Sequence, residues 1–177
     1  HKQQQEQSKN IEKLDENQKK QNKQTSVAGP QVGIEQEIIR QSCDLIGYGS
    51  QSNGTFPTGG SMSNYMALVM ARDSKDPKCR LEGVRKPLVV YTSKESHYSN
   101  AKNVSFAGIG RNNIRYIEAD STGRMIPEKL EEQIKKDIAE GFIPTYVNAT
   151  AGTTVLGAFD QIDKIADITE KYNIWLH

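Results

Sequence analysis

The chain has 177 residues, which is long enough for one domain with a sizeable hydrophobic core. Its 23 Lys and Arg residues almost balance its 22 Asp and Glu residues, so the net charge of +1 provides no general attraction for nucleic acid or for an anionic membrane. The sequence has no run of 18 apolar residues, and Cys43 and Cys79 have neither metal-binding nor redox spacing, so we expect reduced thiols in a cytoplasmic protein that binds neither nucleic acid nor membrane.

The first 26 residues differ in composition from the rest of the chain. Between His1 and Gln24 the only aliphatic side chains are Ile11 and Leu14, and most of the others are Gln, Lys, Glu and Asn. Such a segment buries too little apolar surface to offset the entropy lost on ordering it. We therefore expect residues 1–26 to form a polar, disordered arm and residues 27–177 to form the folded part.

Helical and strand patterns alternate along this folded part. Apolar side chains at helical spacing predict five helices, over residues 34–46, 61–74, 97–107 and 127–140 and from Asp160, which should cap the fifth, to Thr169. Short apolar runs predict strands at residues 88–91, 114–117, 142–147 and 174–176, with one more short strand within residues 54–60. Strands that alternate with helices form a mostly parallel sheet flanked by helices on both faces, so the predicted class is α/β.

The loop before the second helix has the composition of an anion site. Gly59 and Gly60 allow close approach of the backbone to a ligand, and Ser61 and Ser63 offer hydroxyl donors. The helix that follows presents free N–H groups and the positive end of its dipole, an arrangement that suits a phosphate. The alternative interpretation is a plain glycine turn followed by a serine cap, because Gly-Gly-Ser is a common string.

His97 follows the strand predicted at residues 88–91, which places it near the carboxyl edge of the sheet. Ligands of open α/β sheets bind at this edge. An imidazole in such a position can stack on a planar ring or transfer a proton near neutral pH. The alternative is a histidine with a surface or purely structural role.

A third loop, residues 148–160, leaves the strand predicted at residues 142–147 and is rich in small and hydroxyl-bearing side chains. Small residues allow the backbone to pack close to a flat ligand. The alternative is a structural loop in which Asp160 only caps the following helix.

Together these loops resemble the group II decarboxylases that depend on pyridoxal phosphate (PLP), with the best match to glutamate and cysteine-sulfinate decarboxylases. The resemblance covers residues 27–177, in order and at the expected spacing. It rests on four strings: Phe-Pro-Thr-Gly-Gly-Ser-Met-Ser-Asn (56–64), Thr-Ser-Lys-Glu-Ser-His-Tyr-Ser (92–99), Tyr-Val-Asn-Ala-Thr-Ala-Gly-Thr-Thr-Val-Leu-Gly-Ala-Phe-Asp (146–160) and Ile-Ala-Asp-Ile-Thr-Glu-Lys-Tyr-Asn-Ile-Trp-Leu-His (165–177).

The resemblance implies a fold of the aspartate-aminotransferase type (PLP fold type I), with residues 27–177 as a truncated large domain and an active site at a homodimer interface. It implies that Gly60 and Ser61 hold the PLP phosphate. It also implies that His97 stacks on the pyridine ring and acts in catalysis, and that Thr154 lies near the phenolic oxygen of that ring. Asp160 matches an acidic residue behind the loop, with a structural role.

In this family Val-Asp-Ala follows Trp-Leu-His, the Asp pairs with the pyridine nitrogen, and the lysine that carries the cofactor lies further on. The resemblance therefore implies that residues 1–177 are part of a longer enzyme and are inactive alone. The implied reaction is the decarboxylation of an amino acid, a small-molecule substrate that we expect to be acidic: glutamate or cysteine sulfinate first, then aspartate.

Three alternatives remain open at the level of sequence. The first is an aromatic amino-acid decarboxylase, and the second is another PLP enzyme of the same fold, such as an aminotransferase or a sulfur-handling lyase. The third is a non-catalytic truncated module that keeps only the binding pocket or the dimer surface.

Overall fold

A computed structural model of the chain describes residues 29–177. The chain divides into two compact units, with the boundary between Phe56 and Pro57. The predicted polar arm, residues 1–26, lies outside the described residues. No helix within residues 29–177 is both long enough and apolar enough to cross a membrane.

The first unit contains helix α1 (Pro30–Ile46), which begins four residues before the predicted helix because Pro30 fits its first turn. Gly47 ends α1 in a left-handed conformation, with φ of 88°. The carboxylate of Glu35 accepts hydrogen bonds from the Thr55 hydroxyl and the Phe56 N–H, both at 2.8 Å. The Phe56 and Thr55 donors lower the pKa of Glu35 below its ordinary value.

The prediction of a short strand within residues 54–60 is wrong, since none of these residues is in a strand. The N–H of Phe56 donates a hydrogen bond to the Glu35 carboxylate. In a strand, this N–H would instead donate to a carbonyl of a neighbouring strand. A side chain 21 residues away therefore replaces sheet pairing in this segment.

The second unit contains the remaining predicted helices and strands, each within a few residues of its predicted bounds. Two short segments were not predicted, because four or three residues are too few to show a period: the helix Cys79–Glu82 and the 3₁₀ turn Arg111–Asn113. The elements in chain order are α2 (Gly60–Lys75), α3 (Cys79–Glu82), β1 (Leu88–Ser93), α4 (Ser99–Phe106), β2 (Ile114–Ile117), α5 (Pro127–Ala139), β3 (Ile143–Asn148), α6 (Ile162–Lys171) and β4 (Trp175–Leu176).

The four strands form one parallel sheet in the order β2-β1-β3-β4. Val90 of β1 lies beside Ile114 of β2 on one side and beside Tyr146 of β3 on the other. Tyr146 in turn pairs with Trp175 of β4. Because all four strands run in the same direction, the segments that follow them emerge at one edge of the sheet.

The sheet is covered on both faces, which confirms the predicted architecture. Leu88 and Val90 of β1 belong to one apolar cluster with side chains of α2 and α4, and Val89 and Tyr91 belong to a second cluster with side chains of α5 and α6. This alternation follows from the period of two along a strand. It explains why β1 reads as a continuous apolar run, with all six of its residues buried.

A buried carboxylate on helix α5 binds side chains of strands β1 and β2. Asp137 of α5 is fully buried, and its carboxylate accepts hydrogen bonds from the Tyr91 hydroxyl at 3.0 Å, the Arg115 Nε at 2.8 Å and the Gln133 side-chain amide at 3.1 Å. Burial and the charge of Asp137 raise the pKa of Tyr91. The carboxylate therefore fastens α5 to two neighbouring strands.

We expect Asp137→Ala to lower the free energy of unfolding by about 3–5 kcal/mol, because it leaves the Arg115 guanidinium largely buried without its partner. Urea unfolding measures this loss. The matched control is Glu132→Ala, which removes the exposed ion pair with Lys129 and should leave the free energy of unfolding nearly unchanged. Equal losses in the two variants would show that the buried network does not stabilise the fold.

Candidate active site

A cavity of about 370 Å³ lies at the carboxyl edge of the sheet in the second unit. Its wall comes from α2, from the segments that follow β1, β3 and β4, and from the starts of α4 and α6. The lining residues are Asn64, His97, Asn100, Asn148, Ala149, Thr150, Ala151, Thr154, Ile162, Leu176 and His177. This is the edge at which the sequence predicts ligand binding.

Helix α2 begins at Gly60, so the predicted phosphate residues Gly60 and Ser61 are the first two residues of the helix. No side chain among the described residues caps this end of α2, so the N–H groups of Gly60 and Ser61 are available to an anion. Asn103 of α4 donates a hydrogen bond to the Ser61 carbonyl at 2.9 Å, which holds the helix start against α4. Gly60 and Ser61 do not themselves line the cavity, whereas Asn64, one turn further along α2, does.

His97 lies in the turn between β1 and α4 and lines the cavity, half-buried. Its Nδ1 is 2.8 Å from the hydroxyl oxygen of Ser99 and accepts a hydrogen bond from the Ser99 N–H at 3.2 Å. The side-chain amide of Asn64 donates to the same hydroxyl at 3.1 Å. A chain of hydrogen bonds therefore links the first turns of α2 to the predicted catalytic imidazole.

Thr154 also lines the cavity, from the loop between β3 and α6. The neighbouring Thr153 shapes this loop, because its hydroxyl accepts the Ala158 N–H at 3.0 Å and its carbonyl accepts the Gly157 N–H at 2.8 Å. The structure thus brings His97 and Thr154 to one cavity.

The prediction that Asp160 caps the following helix is wrong. Helix α6 starts after Gln161 and has no side-chain cap. The buried carboxylate of Asp160 instead accepts the Met125 N–H at 2.7 Å and the Thr150 N–H at 2.8 Å. Both oxygens are engaged by backbone groups far away in sequence, so Asp160 closes the base of the loop that carries Thr154.

Sequence reasoning missed His177, which lines the cavity from the end of β4. Its ring stacks on Tyr146 with centroids 5.8 Å apart, and its Nε2 lies 3.0 Å from the Asn64 side-chain oxygen. Desolvation lowers the pKa of His177 and favours the neutral ring. The signal was available, because His177 follows β4 just as His97 follows β1.

Two features of the site fit PLP, one its phosphate and the other its ring. The uncapped start of α2 suits its phosphate, and the imidazole of His97 offers a flat face for its ring. The residues that line the cavity include no Lys and no carboxylate within the part of the chain that the structure describes. Among the described residues, the start of α2 and His97 offer groups for a phosphate and a ring, and the cavity lining offers neither a covalent anchor nor an acidic partner for the pyridine nitrogen.

Comparisons with known proteins identify the family of this chain. The family described as "Pyridoxal-dependent decarboxylase conserved domain" matches residues 27–177. Cysteine sulfinic acid decarboxylase from Rattus norvegicus is 45% identical over 148 residues, which are 82% of this chain and 30% of the relative. Acidic amino acid decarboxylase GADL1 from Bos taurus is 42% identical over 146 residues, which are 81% of this chain and 28% of the relative.

Solved structures give the same result for the fold. The crystal structure of mouse CSAD superposes with a TM-score of 0.83 at 43% identity, over 86% of this chain and 33% of that one. Oryza sativa TDC, solved with PLP and tryptamine, superposes with a TM-score of 0.78 at 25% identity, over 86% of this chain and 34% of that one. The chain thus spans about a third of the length of the proteins it matches, and it has the PLP fold type I. It belongs to the pyridoxal-dependent decarboxylase family.

Proposed function

We propose that the full-length protein to which these residues belong decarboxylates an acidic amino acid with PLP as its cofactor. The observation that carries this proposal is that His97 and Thr154 line the same cavity as Asn64, which lies one turn after the uncapped start of α2. The family match and the relatives at 42–45% identity support it, since their names describe decarboxylases of cysteine sulfinic acid and of acidic amino acids.

Each candidate residue has a distinct role in this proposal. The N–H groups of Gly60 and Ser61, with the Ser61 hydroxyl, bind the cofactor phosphate at the positive end of the α2 dipole. The imidazole of His97 packs against the cofactor ring and holds a proton within the cavity. Thr154 borders the same space from the loop that Asp160 closes.

When bound, PLP supplies an electron sink for the charge that remains when CO2 leaves the α-carbon. The protein must orient the scissile carboxylate and deliver a proton after its loss. No Lys lines the cavity within residues 29–177, so we propose that the covalent anchor for the cofactor comes from another part of the longer protein.

An acidic substrate is favoured over an aromatic one. The relatives named for cysteine sulfinic acid and acidic amino acids are 42–45% identical to this chain, whereas the structure solved with tryptamine is 25% identical. We therefore place cysteine sulfinate and glutamate first and aspartate after them. Aromatic amino acids are the competing candidates within the same reaction type.

We also propose that the full-length protein is a homodimer. Met62, Met66 and Met70 lie one helical turn apart on α2, with exposed fractions of 44%, 36% and 54%. A contiguous apolar stripe of this kind is typical of an interaction surface. Sedimentation equilibrium of the full-length protein tests this proposal, and a monomer mass would contradict it.

The proposed activity predicts that full-length protein loaded with PLP releases CO2 from carboxyl-labelled cysteine sulfinate, glutamate or aspartate. It should do so without consuming a keto acid, because decarboxylation needs no amino acceptor. The measurement is trapped labelled CO2, with labelled tryptophan and tyrosine as comparison substrates. Release from the aromatic substrates alone would overturn the acidic specificity. Transfer of the amino group to a keto acid without CO2 release would overturn decarboxylation itself.

The phosphate site predicts that Ser61→Ala weakens PLP binding about five- to tenfold, because one hydroxyl donor to a charged group is lost. Cofactor titration followed by absorbance measures the dissociation constant. The matched control is Ser74→Ala at the other end of α2, whose hydroxyl donates to the Ala71 carbonyl and lies outside the candidate site. Equal PLP affinity in the Ser61 variant and the wild-type protein would remove Ser61 from the site.

A further inference from the structure

His97, Ser99, Asn64 and His177 form one continuous chain of hydrogen bonds along the cavity wall. The successive contacts join Nδ1 of His97 to the Ser99 hydroxyl at 2.8 Å, that hydroxyl to the Asn64 amide nitrogen at 3.1 Å, and the Asn64 amide oxygen to Nε2 of His177 at 3.0 Å. Ser99 is almost completely buried, with 1% of its surface exposed. Asn64 and His97 are half-buried and His177 is exposed, so the chain runs from the buried Ser99 hydroxyl out to the surface. The contacts share one consistent set of donors and acceptors.

The backbone N–H of Ser99 determines which group donates and which accepts in each of these hydrogen bonds. It lies 3.2 Å from Nδ1 of His97, and a backbone N–H can only donate. Nδ1 is therefore an acceptor and carries no proton. The Ser99 hydroxyl, which faces the same nitrogen, must then also donate to it.

The remaining contacts follow from this choice. Because the Ser99 hydroxyl donates its proton to Nδ1 of His97, the hydroxyl oxygen accepts a hydrogen bond from the Asn64 amide nitrogen. The Asn64 amide oxygen then accepts from the protonated Nε2 of His177. Rotating the Asn64 amide by half a turn would direct the Ser99 proton away from Nδ1 and leave the hydroxyl oxygen facing an unprotonated nitrogen.

We propose that Asn64 and Ser99 are positioning residues that fix His97 as the neutral tautomer with its proton on Nε2. Nδ1 is occupied by Ser99, so Nε2 is the ring nitrogen left for a ligand. His97 therefore meets the contents of the cavity as a hydrogen-bond donor and as the holder of a proton at Nε2. The importance of this tautomer for turnover rests on the proposed function, whereas the tautomer itself does not.

The test is solid-state ¹⁵N NMR of the full-length, cofactor-free protein with labelled histidine. The His97 signals are assigned by their disappearance in His97→Gln. We expect the wild-type spectrum to show an unprotonated Nδ1 and a protonated Nε2. A protonated Nδ1 in the neutral ring would overturn the proposal without any further variant.

Asn64→Asp tests the direction of the chain with almost no change in shape. A carboxylate can only accept, so the Ser99 hydroxyl turns towards it and presents a lone pair to Nδ1. We expect the His97 Nδ1 signal to move towards that of a less strongly bonded nitrogen, because Nδ1 keeps the backbone N–H of Ser99 and loses the hydroxyl proton. Asn112→Asp adds the same charge at an exposed position and should leave the His97 signals unchanged. Identical His97 spectra in the two variants would overturn the proposal.

Ser99→Ala provides an independent test if the Asn64 variant does not fold. It removes the hydroxyl donor and keeps the backbone N–H, so the Nδ1 signal should move towards that of a less strongly bonded nitrogen. An unmoved Nδ1 signal would count against the role of Ser99. The spectra are recorded without cofactor or substrate. Failure of the tautomer proposal is therefore distinguishable from failure of the proposed decarboxylase function, which the CO2 assay tests.

Discussion

The parallel pairing of β1 with β3 is the constraint on which the candidate site depends. It places Leu88 beside Ile143 at one end and Thr92 beside Asn148 at the other, so both strands finish at the same edge. The segment after β1 carries His97, and the segment after β3 carries Thr154. An antiparallel arrangement would send these segments to opposite edges, and the cavity that joins them could not form.

Apolar burial holds the sheet together, but a few buried polar groups determine the shape of its carboxyl edge. Asp160 ties the loop after β3 to the Met125 N–H, and Asn103 ties the start of α2 to α4. Ser99 and Asn64 connect α2 to the turn that carries His97. Each of these contacts satisfies a buried or half-buried group, so a change at one of them leaves a donor or an acceptor without a partner.

Much of the fold could be predicted from the sequence, because strand and helix periods are local signals. The run Leu88–Ser93 and the stripe Leu130, Ile134 and Ile138 mark β1 and α5 without any knowledge of the tertiary structure. The two wrong predictions, a strand within residues 54–60 and a cap at Asp160, fail because of long-range contacts. Glu35 replaces a strand by binding Phe56, and Asp160 binds Met125, 35 residues away, in place of capping α6. No local pattern reveals such partners, and for the same reason the link from Asn64 to His177, 113 residues apart, became visible only in the structure.

We expect the cofactor phosphate to bind at the start of α2 and the cofactor ring to lie in the neighbouring cavity against His97. A crystal structure of the full-length protein with PLP tests this claim most directly. We predict phosphate oxygens at hydrogen-bond distance, about 3 Å, from the N–H groups of Gly60 and Ser61, with the imidazole of His97 in contact with the cofactor ring. A cofactor bound away from the start of α2, or a His97 ring that does not touch it, would contradict the account.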